Sequence, residues 1–228
     1  MITLFHGSDK IIEKPHYRGG KPYNDYGYGF YCTKHADLAR EWSVDENRDG
    51  FLNIYELDES KLNILNLNCG EYTILHWLTI LLENRQFTLR TSLSKAAKLY
   101  LTKNFSLPYE DADIIIGYRA DDSYFSFARD FIDGAISLRQ LEKAMFLGSL
   151  GEQIVLKSEQ SFGYLKFVSY ESVLSSDWFE RKAERDKSAR RQYSNMETEV
   201  FQKGEMYITK ILEEEIKADD TRLQRIVY

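Results

Sequence analysis

Three short segments hold the residue types that could do chemistry: His6-Gly7-Ser8, Gly27-Tyr28-Gly29-Phe30-Tyr31-Cys32-Thr33, and Gly151-Glu152-Gln153-Ile154-Val155-Leu156. Together they offer an imidazole, a tyrosine set behind two glycines, and an acid–amide pair at the head of an apolar run. Such groups bind and polarise a ligand by hydrogen bonding, stacking and charge. Metal chemistry has no basis in the spacing, and Cys32 and Cys69 are the only cysteines. Cys32 directly follows Tyr31, so on a strand it packs away from any cleft that Tyr31 faces, which leaves nucleophilic hydrolysis unsupported. Taken singly, each segment has a plainer reading. His6 is then a satisfied polar residue at a strand end, the glycines a tight turn before an edge strand, and Glu152 a solvated acid.

Taken together and in that order, the segments resemble the ADP-ribosyltransferase fold of the His-Tyr-Glu type, the group holding diphtheria toxin and the poly(ADP-ribose) polymerases. In that group a first strand ends in His-Gly-Ser or His-Gly-Thr, a Gly-x-Gly-aliphatic-Tyr segment follows, and a late strand begins Asn-Glu-Tyr-Ile-Val. Residues 25–33, DYGYGFYCT, are also similar to the D-[FY]-G-x-G-F-Y-x-T signature of a bacterial family of uncharacterised domains. That family is often found beside a small partner gene, an arrangement typical of toxin–antitoxin pairs. The resemblance spans about residues 1–170. It implies an α+β fold with a split β-sheet core, NAD⁺ as co-substrate without a metal, and mono-ADP-ribosylation of a macromolecular target, protein or nucleic acid. A small antitoxin is the implied partner. An NAD⁺ glycohydrolase, an RNA 2′-phosphotransferase-like enzyme and a non-catalytic NAD- or ADP-ribose-binding module stand as alternatives.

The resemblance also assigns roles. His6 hydrogen-bonds a ribose hydroxyl of the adenosine half, and Ser8 adds a second such bond. Gly7 pairs through its backbone with the nicotinamide carboxamide, where a Cβ would be in the way. Gly29 belongs to the turn that brings up Tyr31, and Tyr31 is the first aromatic wall for nicotinamide. Trp42, eleven residues on, matches the spacing of a second wall in the polymerases; otherwise it is a core residue of an amphipathic helix. The third position is either Glu152 or Gln153, depending on whether the strand is aligned on Ile154-Val155 or on a Glu-x-Glu-aliphatic pattern. Only one of these neighbours can face the cleft, and Glu152 is the expected one because it brings charge to a developing cation.

The elements that must position these residues follow from pattern. Strands are expected at residues 2–5, stopping in a turn at His6-Gly7-Ser8, within 27–33 after its glycine turn, and at 51–57, 113–117, 152–156 and 165–168. Helices are expected at 34–44, 72–84, 92–101, 123–133 and 137–146, the last capped by Ser137. Residues 9–26 read as an ordered, exposed loop. From residue 175 glycine nearly vanishes, and helices are expected over 177–193 and from about 197 to the end. The division is a catalytic domain over residues 1–170 and a helical extension over 171–228. An apolar stripe at Met206, Ile208, Ile211, Leu212 and Ile216 must be covered, by its own domain or by a partner.

Charge narrows the partners. The net charge of −6 argues against a non-specific grip on phosphate backbones. Residues 181–193 (RKAERDKSARRQY) are a local basic excess that fits nucleic acid or an acidic partner, or is the solvated face of a helix. Residues 116–127 (IGYRADDSYFSF) border the cleft, with Arg119 open to a role there. The plainer reading is a helix start capped by Asp121, Asp122 and Ser123, with Tyr124, Phe125 and Phe127 in the core. The best apolar run, residues 74–82, carries His76 and is too short for a membrane span; the expectation is a cytoplasmic protein.

Overall fold

The computed structural model describes residues 1–120, 122–147, 151–197, 199 and 203–225. Its strands are β1 (Ile2–Ser8), β2 (Phe30–Cys32), β3 (Gly50–Leu57), β4 (Ile64–Asn66), β5 (Ile114–Tyr118), β6 (Glu152–Leu156) and β7 (Leu165–Val173). Its helices are α1 (Ala36–Ser43), α2 (Ile74–Asn84), α3 (Ser92–Phe105), α4 (Asp122–Ile132), α5 (Leu138–Met145), α6 (Glu159–Gly163), α7 (Ser175–Glu197) and α8 (Ile208–Glu213).

The strands form two sheets of an α+β fold. One runs β1-β3-β7, antiparallel throughout; the other runs β2-β6-β5-β4, with only the β4–β5 pair parallel. They are stitched where Phe5 and Thr33 exchange backbone hydrogen bonds of 2.9 and 3.0 Å. Leu4, Tyr55 and Leu57 from the first sheet pack on Cys32, Ile114, Ile116, Ile154 and Leu156 from the second. Beyond the stitch β1 and β2 part, and a cleft opens between them.

The other face of the second sheet meets the helices. α2 is apolar on nearly every side and is buried from Ile74 to Leu82, as an all-round hydrophobic helix must be. It shares one core with Ile115 and Val155 from the sheet and with Leu101, Phe105, Phe127, Phe131 and Leu141. Ser137 caps α5 as expected: its hydroxyl accepts from Gln140 N at 3.3 Å and the Gln140 side chain returns the bond.

Several expectations are corrected. β1 does not turn at His6 but continues to Ser8, with His6, Gly7 and Ser8 opposite Asn53, Leu52 and Phe51. Cross-strand pairing overrides the local glycine signal there. β4 and α6 were not anticipated, and β7 runs to Val173. The final helix is not long: α8 has six residues, and the chain after it turns at Glu215, whose φ is 49°. Asp121 lies outside the described residues, as do the side chains of Asp122, Ser123 and Tyr124.

The isoleucines of the apolar stripe are covered by the chain itself. Ile208, Ile211 and Ile216 join the core that holds Ala97 and Leu101, and Tyr100 Oη donates to the Ile216 carbonyl at 3.0 Å. Each such isoleucine contributes about 1.5–3 kcal/mol. α7 also docks on the rest of the fold. Tyr193 stacks on Phe127 at 3.7 Å, and Arg185 pairs with the buried Glu41 of α1 at 2.6 Å.

Candidate active site

The cleft has a volume of about 970 Å³, inside the range typical of small-molecule sites. His6, Tyr31, Trp42 and Gln153 all line it. His6 and Tyr31 are brought together by the parting of β1 and β2. One step past the Phe5–Thr33 pair the backbones no longer reach each other, and His6 Nδ1 donates to the Tyr31 carbonyl instead, at 2.7 Å. The imidazole also stacks on Phe30, ring centres 4.4 Å apart. Burial pushes the His6 pKa down, partly opposed by the bond to Tyr31, so the ring is neutral at pH 7. A neutral imidazole protonated on Nδ1 presents Nε2 as an acceptor.

Tyr31 is fixed at its far end. Its hydroxyl donates to the Gly27 carbonyl at 2.7 Å and accepts from Tyr26 N at 3.1 Å. The ring is therefore a rigid wall. Gly29 precedes it because a Cβ there would lie 2.4 Å from Val155 Cγ1. Gly7 has a structural reason too: a Cβ would lie 1.9 Å from the Ala39 carbonyl oxygen of α1. The glycine lets α1 settle onto β1, which brings Trp42 to the cleft. Trp42 carries the Arg119 guanidinium 4.1 Å above its ring, and its indole N–H has no acceptor among the described residues.

The late strand resolves the acid–amide pair differently from expectation. Gln153 lines the cleft, 6% exposed, and its Oε1 has no hydrogen-bond partner among the described residues. Glu152, the expected residue, lies outside the cleft lining; Asn68 Nδ2 donates to its Oε1 at 2.9 Å. Alternation along β6 allows one of them into the cleft, and the residue with the buried, unmatched oxygen occupies it. Ser8 also lies off the cleft. Its hydroxyl accepts from Lys10 N at 3.2 Å and touches Asp9 at 3.4 Å. Cys32 is wholly buried between the sheets, as expected, and burial pushes its thiol pKa up.

Some of the lining was not foreseen. Asp25 is nearly inaccessible, held by Arg85 Nε and Ala120 N, each at 2.9 Å. Burial raises its pKa and the Arg85 guanidinium opposes that rise. The pair ties the start of the Tyr31 segment to the end of β5. Lys182, Asp186 and Arg190 of α7 form one wall, so the cleft is not confined to residues 1–170. Their i, i+4, i+8 spacing puts them on one helix face; the basic excess at 181–193 was visible, its direction was not. With Lys10, Lys14, Arg85 and Arg119 the lining is strongly cationic in an acidic protein, which suits a phosphate-bearing ligand.

The fold and site together define an α+β protein with a stitched pair of sheets and a cationic, aromatic-walled cleft at the stitch. The chain belongs to the family described as a protein of unknown function (DUF3990), whose model matches residues 2–167. No curated protein and no solved structure matches the chain. Among the described residues there is no cluster of His, Cys, Asp or Glu suited to a metal, and no helix long and apolar enough to cross a membrane.

Proposed function

We propose that the chain is an NAD⁺-dependent mono-ADP-ribosyltransferase acting on a macromolecular target, with Gln153 in the position the His-Tyr-Glu group fills with glutamate. The observation that carries this reading is the convergence of His6, Tyr31, Trp42 and Gln153 on one cleft, locked by the His6–Tyr31 hydrogen bond. The lining fits a dinucleotide. Tyr31 and Trp42 offer flat faces to nicotinamide, and His6 Nε2 accepts from a ribose hydroxyl. Lys10, Lys14, Lys182 and Arg190 supply positive charge for the two phosphates.

When the nicotinamide–ribose bond breaks, positive charge grows on the ribose. The Gln153 Oε1 is buried without a partner among the described residues, a state that costs about 1–3 kcal/mol unless a ligand satisfies it. A hydrogen bond from the ribose 2′-hydroxyl would do so and would turn the amide dipole toward the developing cation. A dipole stabilises a cation less than a carboxylate does, so slow transfer without chain elongation is expected. The same uncharged residue favours a second reading, a module that binds NAD⁺ or ADP-ribose without turnover. The proposal extends to a toxin restrained by a small antitoxin in the cytoplasm; the antitoxin's docking surface is not the isoleucine stripe, which the chain's own core covers.

Incubation of the purified chain with labelled NAD⁺ and a cell lysate separates the readings. Released nicotinamide with label on a macromolecule supports transfer. Nicotinamide with free ADP-ribose indicates a glycohydrolase, and stoichiometric binding with neither product indicates the module.

A further inference from the structure

We propose that the macromolecule modified is a single-stranded nucleic acid, held by the outer rim of the cleft at residues 16–28; this rests on the cleft being the NAD⁺ site. The chain is acidic overall, yet residues 10–23 carry Lys10, Lys14, Arg18 and Lys21 against the single acid Glu13. Tyr17 falls among them, and Tyr23 and Tyr28 follow; the three rings are 40%, 56% and 41% exposed. Tyr26, in the same segment, and Tyr55 on β3 are by contrast fully inaccessible. Three large rings left in water on one short loop, among cations, make a surface for stacking bases and neutralising phosphates.

The loop is built to hold that shape. Asn53, fully buried in β3, accepts from Ile12 N at 2.8 Å and donates to the Lys10 carbonyl at 3.1 Å. Tyr55 Oη donates to the Ile12 carbonyl, and the Asp25–Arg85 pair fixes the far end. At the tip, Gly19 N donates to the His16 carbonyl at 2.9 Å, closing a turn that displays Tyr17 and Arg18. Arg18 sits at φ 57°, a conformation glycine or asparagine would adopt more cheaply, and its guanidinium lies 5.4 Å from the Tyr17 ring centre. Across the cleft, Lys182 and Arg190 of α7 continue the cationic surface. Unpaired bases expose faces for the tyrosines, which a duplex hides.

Fluorescence anisotropy without NAD⁺ tests the surface, using fluorescein-labelled single strands of about 20 nucleotides, as RNA, as DNA, and as the matching duplexes. Saturable binding of a single strand at about 50 mM salt is expected, at least tenfold tighter than its duplex. Combined Tyr17→Ala, Tyr23→Ala and Tyr28→Ala should weaken it by about tenfold or more. Combined Arg18→Glu and Lys21→Glu should make the salt dependence shallower by about 1.4 in log–log slope. These residues lie outside the cleft lining, so nicotinamide release should stay at the wild-type rate in both variants. Loss of release in the wild type would count against the NAD⁺ reading alone, since the anisotropy does not depend on it. No saturable binding, equal binding of duplex, or variants that bind as the wild type does overturn the rim assignment. Label from NAD⁺ that remains on nuclease-treated protein assigns the target to protein and overturns it also.

Discussion

His6 and His76 hold their protons on opposite ring nitrogens. His6 Nδ1 meets the Tyr31 carbonyl, which can only accept, so that nitrogen carries the proton. His76 Nδ1 meets the Thr73 backbone N–H at 3.0 Å, so it is bare and the proton lies on Nε2. Burial pushes both pKa values down, His76 to about 4. Nitrogen-15 spectra of the histidine side chains at pH 7 should show both neutral, as opposite tautomers. A charged His6, or His6 protonated on Nε2, would remove the acceptor that the proposed ribose contact requires.

His76 also predicts how acid acts on the fold. It closes a capping box at the start of α2, the most buried helix. Its folded pKa of about 4 lies below the ordinary 6.5, so between those values the unfolded chain binds more protons and stability rises with pH. The contribution is complete above pH 6.5 and disappears as pH falls through 4. Its size is about 3 kcal/mol, an upper figure for a partly relaxed site. His76→Gln keeps a capping side chain without the titration. Denaturant unfolding at pH 7 and pH 4.5 should show a larger acid loss for the wild type than for the variant; equal losses would exclude His76 as the cause.

Gly7 was read as room for a ligand, and its geometry makes it room for a helix. A Cβ would overlap the Ala39 carbonyl, and a backbone oxygen cannot rotate away. Gly7→Ala should lower stability by about 1–3 kcal/mol or more and displace α1 with Trp42. Thermal unfolding measures the first effect and tryptophan fluorescence the second. An unchanged melting temperature would mean that α1 adjusts at no cost.

The sequence exposes the site better than the fold's edges, for physical reasons. His6, Tyr31 and the strand at residue 152 stand in short motifs of distinctive residue types, so the segments that meet at the cleft could be picked out from the chain. The side of β6 that Gln153 faces is different: one register step exchanges it with Glu152, and only pairing with Tyr31's strand settles it. Lys182 and Arg190 come from residues distant in the chain, and their approach depends on the Arg185–Glu41 and Tyr193–Phe127 contacts. Among the described residues after 197 the expected long helix is only the six residues of α8, and Ile208, Ile211 and Ile216 reach the core from there and from the turn that follows.

Truncation before Ser175 now has a definite expected outcome. It removes Ile208, Ile211, Ile216 and Tyr193 from the core and strips one wall from the cleft. Removing about 1.5–3 kcal/mol per buried side chain takes away a sum comparable to the whole margin of a domain of this size. The shortened protein should be insoluble or lack a cooperative melting transition. A soluble, cooperative fragment that still binds NAD⁺ would show that residues 1–174 are self-sufficient.

Nicotinamide release from NAD⁺ by the wild type and three variants tests the central claim most directly. Tyr31→Ala should weaken NAD⁺ binding by about 1–3 kcal/mol through loss of a desolvated ring. Gln153→Ala should cut turnover by about 10²-fold while NAD⁺ binding persists, because its interaction grows as the bond breaks. Glu152→Ala, turned toward Asn68, should release nicotinamide as the wild type does. A dead Glu152→Ala beside an active Gln153→Ala, or release unaffected by Tyr31→Ala, would contradict the assignment of this cleft.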